Sequence, residues 1–272
     1  MVGLQSRDRV VWRWTVLAIW AAAVCGLTES ASAQKLYQER SAFDVVVLKR
    51  DGSRHKILPL PGRSAEVKTS GTLKVRLMAD PADEKVISWS EIQRIDLFET
   101  MLLAQASEFV RDKEFDDAFK SYDRLLNEYP RTPGLDPAVQ AFLYINAEAM
   151  IAAGQLTLAM STLEELYDRN PGFQRGGGSV FSLLSTVSSK MLDDLIEKNE
   201  DYPSARRLIV RLDLKYGSGE RRLPATLKWR GFLIDLARTK MVELRQLLDQ
   251  KKYLPARDVS AEMMTIWPEL EG

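Results

Sequence analysis

Four alanines constrain this chain more than any other feature, because each is followed twelve residues later by a residue that ends a helical run: Ala118/Pro130, Ala159/Pro171, Ala205/Gly217 and Ala256/Pro268. A recurring offset with matching neighbours is the mark of stacked helical hairpins. A small side chain lets the two helices of a hairpin approach closely, larger apolar residues fill the groove to the next hairpin, and proline ends the second helix by removing a donor and restricting the residue before it. The alanines lie 41, 46 and 51 residues apart, so the hairpins carry unequal helices or loops and the stack is irregular.

Around the first alanine, Ala106, Phe109, Ala118, Tyr122, Leu125 and Pro130 stand where the tetratricopeptide repeat keeps a small residue, an aromatic, alanine, an aromatic, an apolar residue and proline. Ala147, Met150, Ala159, Leu163, Leu166 and Pro171 recur at the same offsets. The third copy (Ile196, Ala205, Ile209, Leu212, Gly217) and the fourth (Leu247, Ala256, Ser260, Met263, Pro268) lose the small residue of the first helix, which becomes Asp193 and Leu244. The chain resembles that family, although its spacing exceeds the regular period of about 34 residues. The resemblance implies a concave groove, lined by the first helix of each hairpin, that receives extended peptides or partner helices. The residues on that face are Leu103, Ser107, Arg111, Tyr144, Glu148, Lys190, Asp194, Lys198, Met241 and Arg245. The set is mixed in charge and lacks the lysine and arginine clamp expected for a terminal carboxylate.

From Phe43 to about Ile95 the pattern alternates instead, with turn chemistry between short runs. Phe43 to Lys49 returns through Asp51-Gly52 to His55–Leu60 as a hairpin. Leu73 to Met78 reads as a third strand, Asp80-Pro81 as a turn into Lys85–Trp89, and Glu91–Asp96 as a connector to the first long helix. Four or five strands in some fifty residues suggest a small SH3-like β unit that packs on the first helices. The expected architecture is α+β and predominantly α: 1–33 a secretory signal, 34–95 a small β domain, 96–272 an irregular tetratricopeptide-like solenoid.

The signal reading rests on Arg7, Arg9 and Arg13 before an apolar stretch from Trp14 to Leu27 and an Ala31-Ser32-Ala33 site, with cleavage before Gln34. That stretch is short of the roughly 20 residues of a membrane span; any membrane contact would be through this segment left uncleaved. The residues before Cys25 do not match a lipid-attachment pattern. Cleavage removes the only cysteine and leaves 35 basic against 36 acidic residues, a net charge of −1. Such a chain has no disulfide, and no basic excess points to nucleic acid. The export route places it in the periplasm or outside the cell.

Chemistry-bearing constellations are sparse. His55 is the only histidine, so a multi-histidine metal centre is excluded, and no orienting partner marks it as catalytic. Gly176-Gly177-Gly178-Ser179 lacks the following Gly-Lys-Ser/Thr and a preceding strand, and reads as an interhelical loop with Ser179 as N-cap. Asp116/Asp117, Glu164/Glu165 and Asp193/Asp194 are helix neighbours that diverge. Trp89, Trp229 and Trp267 are spaced as core anchors. Neither enzyme activity nor a cofactor or metal is expected; the partner is a protein or peptide.

A second resemblance comes from the order of parts: exported leader, a β unit ending in Ile87-Ser88-Trp89-Ser90-Glu91-Ile92, then irregular repeats closing on Ile266-Trp267-Pro268-Glu269-Leu270-Glu271-Gly272. It is similar to the amino-terminal region of certain large bacterial extracellular solute-binding proteins of the oligopeptide ABC-importer type. That implies a role in transport, with an envelope transporter or a ligand-binding module as partner and ligand lobes lying beyond Gly272. No polar cap follows the fourth repeat, so this reading expects the chain to be short of its natural end or completed by a partner.

Overall fold

The computed structural model describes residues 41–217 and 222–268. The expected signal segment, the cleavage site before Gln34 and the closing Glu269–Gly272 lie outside the described residues. Within them the protein is α+β with helix predominating.

Five strands form one antiparallel sheet: β1 (Asp44–Leu48), β2 (Arg54–Ile57), β3 (Thr72–Leu77), β4 (Asp80–Ser88) and β5 (Ile92–Asp96), in the spatial order β4-β3-β2-β1-β5. The Asp51-Gly52 turn joins β1 to β2; Gly52 has φ +69° and the Asp51 carboxylate accepts from Ser53 N at 2.9 Å. A 3-10 turn over Trp89–Glu91 carries the chain from one edge of the sheet to the other, with Trp89 N donating to Gly71 O at 3.1 Å.

Asp80-Pro81 does not open a turn: Met78 and Ala79 turn, and β4 already begins at Asp80. Proline is tolerated because β4 is an edge strand, where a missing N–H costs no ladder bond. Nor is Glu91–Asp96 a connector, since Ile92–Asp96 pairs with β1. A bulge sets Val47 opposite Arg94 and Leu48 opposite Ile92, so Ile92 and Ile95, three apart, both reach the interior. The bulge hides the period of two by which a strand is recognised.

β1 is buried on both faces, and this joins the sheet to the helices. Val46 packs inside the sheet with Ile57, Val75, Trp89 and Ile92, whereas Val45 and Val47 face the helical core beside Phe43, Phe98 and Leu102. Alternation along a strand requires this division.

The helices are α1 (Phe98–Arg111), α2 (Phe115–Glu128), α3 (Leu135–Ala152), α4 (Leu156–Arg169), α5 (Val180–Asp193), α6 (Tyr202–Tyr216), α7 (Pro224–Asp249) and α8 (Tyr253–Ile266). α1 packs on α2, α3 on α4 and α7 on α8, while α1, α3, α5 and α7 also touch in succession. Ala118, Ala159, Ala205 and Ala256 are all 0–2% exposed, and Ala106 and Ala147 are fully buried. Five residues before each of the four alanines stands one residue with positive φ: Lys113 (64°), Gly154 (75°), Glu200 (51°) and Lys251 (59°). Three of these four left-handed positions carry a side chain, so sequence alone shows the turn only at Gly154.

The third hairpin differs by one residue. After the turn, Glu114 N, Gln155 N and Lys252 N donate five residues back, to Phe109, Met150 and Leu247; Asp201 N donates six back, to Leu195. A π turn over Asp194–Lys198, continuing α5, absorbs the extra residue. Spacing therefore assigns Asp193 to the small-residue position, whereas Leu192, fully buried, is the residue that faces inward there.

The junction of the two parts centres on Asp44, 0% exposed. Its Oδ2 accepts from Leu60 N at 2.7 Å and its Oδ1 from Phe98 N, the first residue of α1, at 2.8 Å. Leu97 has no side chain able to cap that helix, so Asp44 supplies the cap and a negative charge at the N-terminus from 54 residues away. Arg63 bridges Asp44 (3.6 Å) and Glu99 and lies over the Tyr129 ring at 5.0 Å.

Candidate functional site

The residues proposed for the first-helix face are not equivalent in space. Leu103, Ser107 and Arg111 form one stripe on α1: Leu103 is half-buried against Gly134, the Ser107 hydroxyl donates to Leu103 O at 3.0 Å, and Arg111 pairs with Asp112 at 3.3 Å. On α7, Arg245 approaches the sulfur of half-buried Met241 at 3.7 Å.

Tyr144 departs from its expected place and is core, only 2% exposed. Its ring packs on Phe173 at 5.5 Å, and a Cβ on Gly178 would stand 2.3 Å from its hydroxyl. Between α4 and α5 a two-residue hairpin, β6 (Gln174–Arg175) and β7 (Gly178–Ser179), turns through Gly176 and Gly177 at φ 56° and 82° and folds over this tyrosine. A short strand thus does precede the glycine run, against the sequence reading; Ser179 caps α5 reciprocally with Ser182, as expected. Burial, then the charge of exposed Glu148, raises the Tyr144 hydroxyl pKa.

Lys190, Asp194 and Lys198 are brought together. They line a cleft of about 350 Å³ whose other wall is Ile151, Gly154 and Leu156, at the turn between α3 and α4. Their convergence depends on the π turn, which carries Asp194 and Lys198 past the end of α5. The Lys198 ammonium lies 2.5 Å from Asp194, whose hydrogen bond and charge raise the lysine pKa. Asn199 Nδ2 donates to Asp194 O at 2.8 Å and closes the turn.

Asp193, adjacent in sequence, faces the next hairpin: it accepts from Trp229 Nε1 at 2.9 Å and from Ser189 Oγ at 3.3 Å. Lys228 lies 3.8 Å from Asp193 and 4.0 Å from the Trp229 ring centre. Both acids line the cleft, and Asp193 in addition ties α5 to the next hairpin. Lys190 is exposed and forms no ion pair among the described residues. The cleft thus offers a charge-balanced Lys198–Asp194 pair, the Asp193 carboxylate, the Lys190 ammonium and an apolar wall. Such a surface can take a backbone carbonyl or carboxylate beside an apolar side chain.

Sequence reading identified the three charged residues but missed Ile151, Gly154 and Leu156. Gly154, five residues before Ala159, was the available signal, because a glycine there marks the turn that presents them. His55 stands half-exposed on β2, with Nε2 3.2 Å from Ser53 Oγ. Among the described residues no group of three or more His, Cys, Asp or Glu side chains is placed to hold a metal ion, and no helix is long and apolar enough to cross a membrane. No protein-family model and no curated protein matches the chain.

Proposed function

We propose that this chain is an exported, non-enzymatic interaction scaffold, in which a small SH3-like β unit anchors four tetratricopeptide-like hairpins that hold a protein or peptide along their first helices. The observation that carries the reading is the repeated turn, one left-handed residue five positions before each buried alanine, together with the stacking of α1, α3, α5 and α7. Stacked first helices expose a continuous face, the use to which solenoids put their curvature. The strand order, with a 3-10 turn joining the two edge strands, supports the SH3-like description. The leader over residues 1–33 supports export.

The test is reversal of charge at Arg111, Lys190 and Arg245 together. All three side chains are exposed, so helix content by circular dichroism is expected to stay unchanged while a partner retained by the unaltered chain is lost. Unchanged capture removes the first-helix face as the binding surface. Retention of a permease or a separate ligand-binding module by the unaltered chain would instead favour the transport role.

A further inference from the structure

α6 carries two faces of different character. Leu208, Ile209 and Leu212 are buried, while Val210 and Leu214 point outward at 38% and 82% exposure. Beyond α8 the chain turns so that Trp267 and Pro268 stand against this outer face, enclosing a groove of about 420 Å³. Its remaining lining is Arg206, Arg207 and Arg211. An apolar floor with three guanidinium groups around it is unlike the charge-balanced cleft on the first helices.

Of the carboxylates nearby, Glu164 already neutralises Arg211 and Asp201 acts through space on Arg207, while the others are committed elsewhere. Glu164 pairs with Arg211 at 3.2 Å, Asp168 with Lys215 at 3.0 Å, and Asp213 with Arg230 and with Thr226 Oγ1. Arg207 donates to Ser204 Oγ at 2.7 Å and forms no ion pair among the described residues, although the Asp201 charge acts on it through space. Arg206 Nη1 is enclosed and has no hydrogen-bond partner. An enclosed donor left unpaired is costly; because that atom lies beneath the surface, a carboxylate in the groove meets the rest of the Arg206 side chain, which lines it. Arginine is suited to this task, because its planar fork meets a carboxylate with two parallel bonds.

We propose that this groove is a second docking site, and that it takes an acidic segment of a partner protein containing one bulky apolar residue. The carboxylates lie on Arg206 and Arg207, and the apolar side chain covers Val210 and Leu214 against Trp267. The volume fits a few side chains rather than a helix. α6 and α8 are the second helices of their hairpins, so the site shares no residue with the Lys190 cleft and stands apart from that reading.

The experiment is fluorescence polarisation on the full chain with three labelled octapeptides of glycine and serine, containing Glu-Glu-Phe-Glu, Gln-Gln-Phe-Gln or Lys-Lys-Phe-Lys. The acidic peptide is expected to bind about tenfold or more tighter than the neutral one. Arg207→Gln, and Arg206→Gln with it, lowers that affinity about 10- to 100-fold, the loss of one or two charge-assisted bonds. Leu214→Ser weakens all binding, while Lys68→Glu, exposed on the β unit and outside both sites, leaves it unchanged. Circular dichroism checks the fold of each variant, and Arg207, being exposed, carries the test if the double variant unfolds. Equal affinity for the three peptides, no binding of the acidic peptide at millimolar concentration, or indifference to both arginine changes would overturn the proposal. Tighter binding of a single-stranded oligonucleotide of equal charge would overturn the peptide as occupant.

Discussion

Replacing Asp44 with alanine tests how the β unit and the helices are held together. The carboxylate is fully buried and receives two separate backbone donors, Leu60 N on Oδ2 and Phe98 N on Oδ1. A hydrogen bond to a charged group contributes about 1.5–3 kcal/mol, so losing both costs about 3–6 kcal/mol. The Arg63 contact at 3.6 Å adds little, because Arg63 keeps Glu99. A total of that size is a large share of the roughly 5–15 kcal/mol that stabilises a typical domain. Asp44→Asn retains one acceptor oxygen but turns its amide toward the other N–H, so it falls between alanine and the parent. Urea unfolding should be followed by circular dichroism at 222 nm for the helices and by tryptophan fluorescence, to which Trp89 contributes from inside the sheet. Helix and sheet signals are expected to move together to lower urea for Asp44→Ala. A loss below about 1 kcal/mol would refute the claim that this carboxylate caps α1 and fixes the joint.

Ala118→Trp should overpack the first hairpin and cost about 1–3 kcal/mol or more, because Ala118 is fully enclosed between α1 and α2; an unshifted thermal midpoint would contradict the repeat register. Tyr216 is buried with no hydrogen-bond partner for its hydroxyl, and burial, then Glu164 and Asp168, raise its pKa above the ordinary 10.0. Stability held by the neutral phenol is therefore present below about pH 10 and falls as pH rises above it. Tyr216→Phe should leave neutral-pH stability within about 1 kcal/mol and blunt the alkaline loss, though not remove it, since Tyr122 and Tyr144 are also raised; identical alkaline titrations of stability would contradict the assignment. Deleting Glu197, exposed within the π turn, should restore α-helical spacing at a cost under about 1 kcal/mol and weaken partner capture by moving Lys198 relative to Asp194. A loss of several kcal/mol on thermal unfolding would show that the core needs the π turn.

The hairpins were legible because close helix approach demands a small residue at one offset and little else satisfies it. β1, β2 and β3 were legible by alternation and by Asp51-Gly52. β5 was hidden by its bulge, since Ile92 and Ile95 match neither a period of two nor a long helix. Spacing puts the third hairpin one residue out of register, because nothing local in Asp193–Lys198 announces a π turn; the π helix and the hydrogen bond from Asp201 N to Leu195 O show it. Helical spacing alone puts Tyr144 on the open face, and the cover comes from Phe173 and Gly178 in the segment between α4 and α5. Lys190, Asp194 and Lys198 were found by helical spacing alone, whereas the apolar wall opposite them required the packing of α3–α4 on α5. The arginine groove has a sequence signal, Arg206, Arg207, Val210, Arg211 and Leu214 on one side of a helix, but its depth comes from Trp267, more than fifty residues later.

The central claim, that partners are held on the first helices, is tested most directly by placing a photocrosslinking amino acid at single positions and mapping the adducts by mass spectrometry. Position 190 in the α5 cleft and position 111 on α1 are compared with positions 119 and 158, where Phe119 and Leu158 are exposed on the second helices α2 and α4. The account predicts the same partner at 190 and 111, at discrete sites, and none at 119 or 158. Equal adducts from both faces, or adducts confined to the second helices, would contradict it.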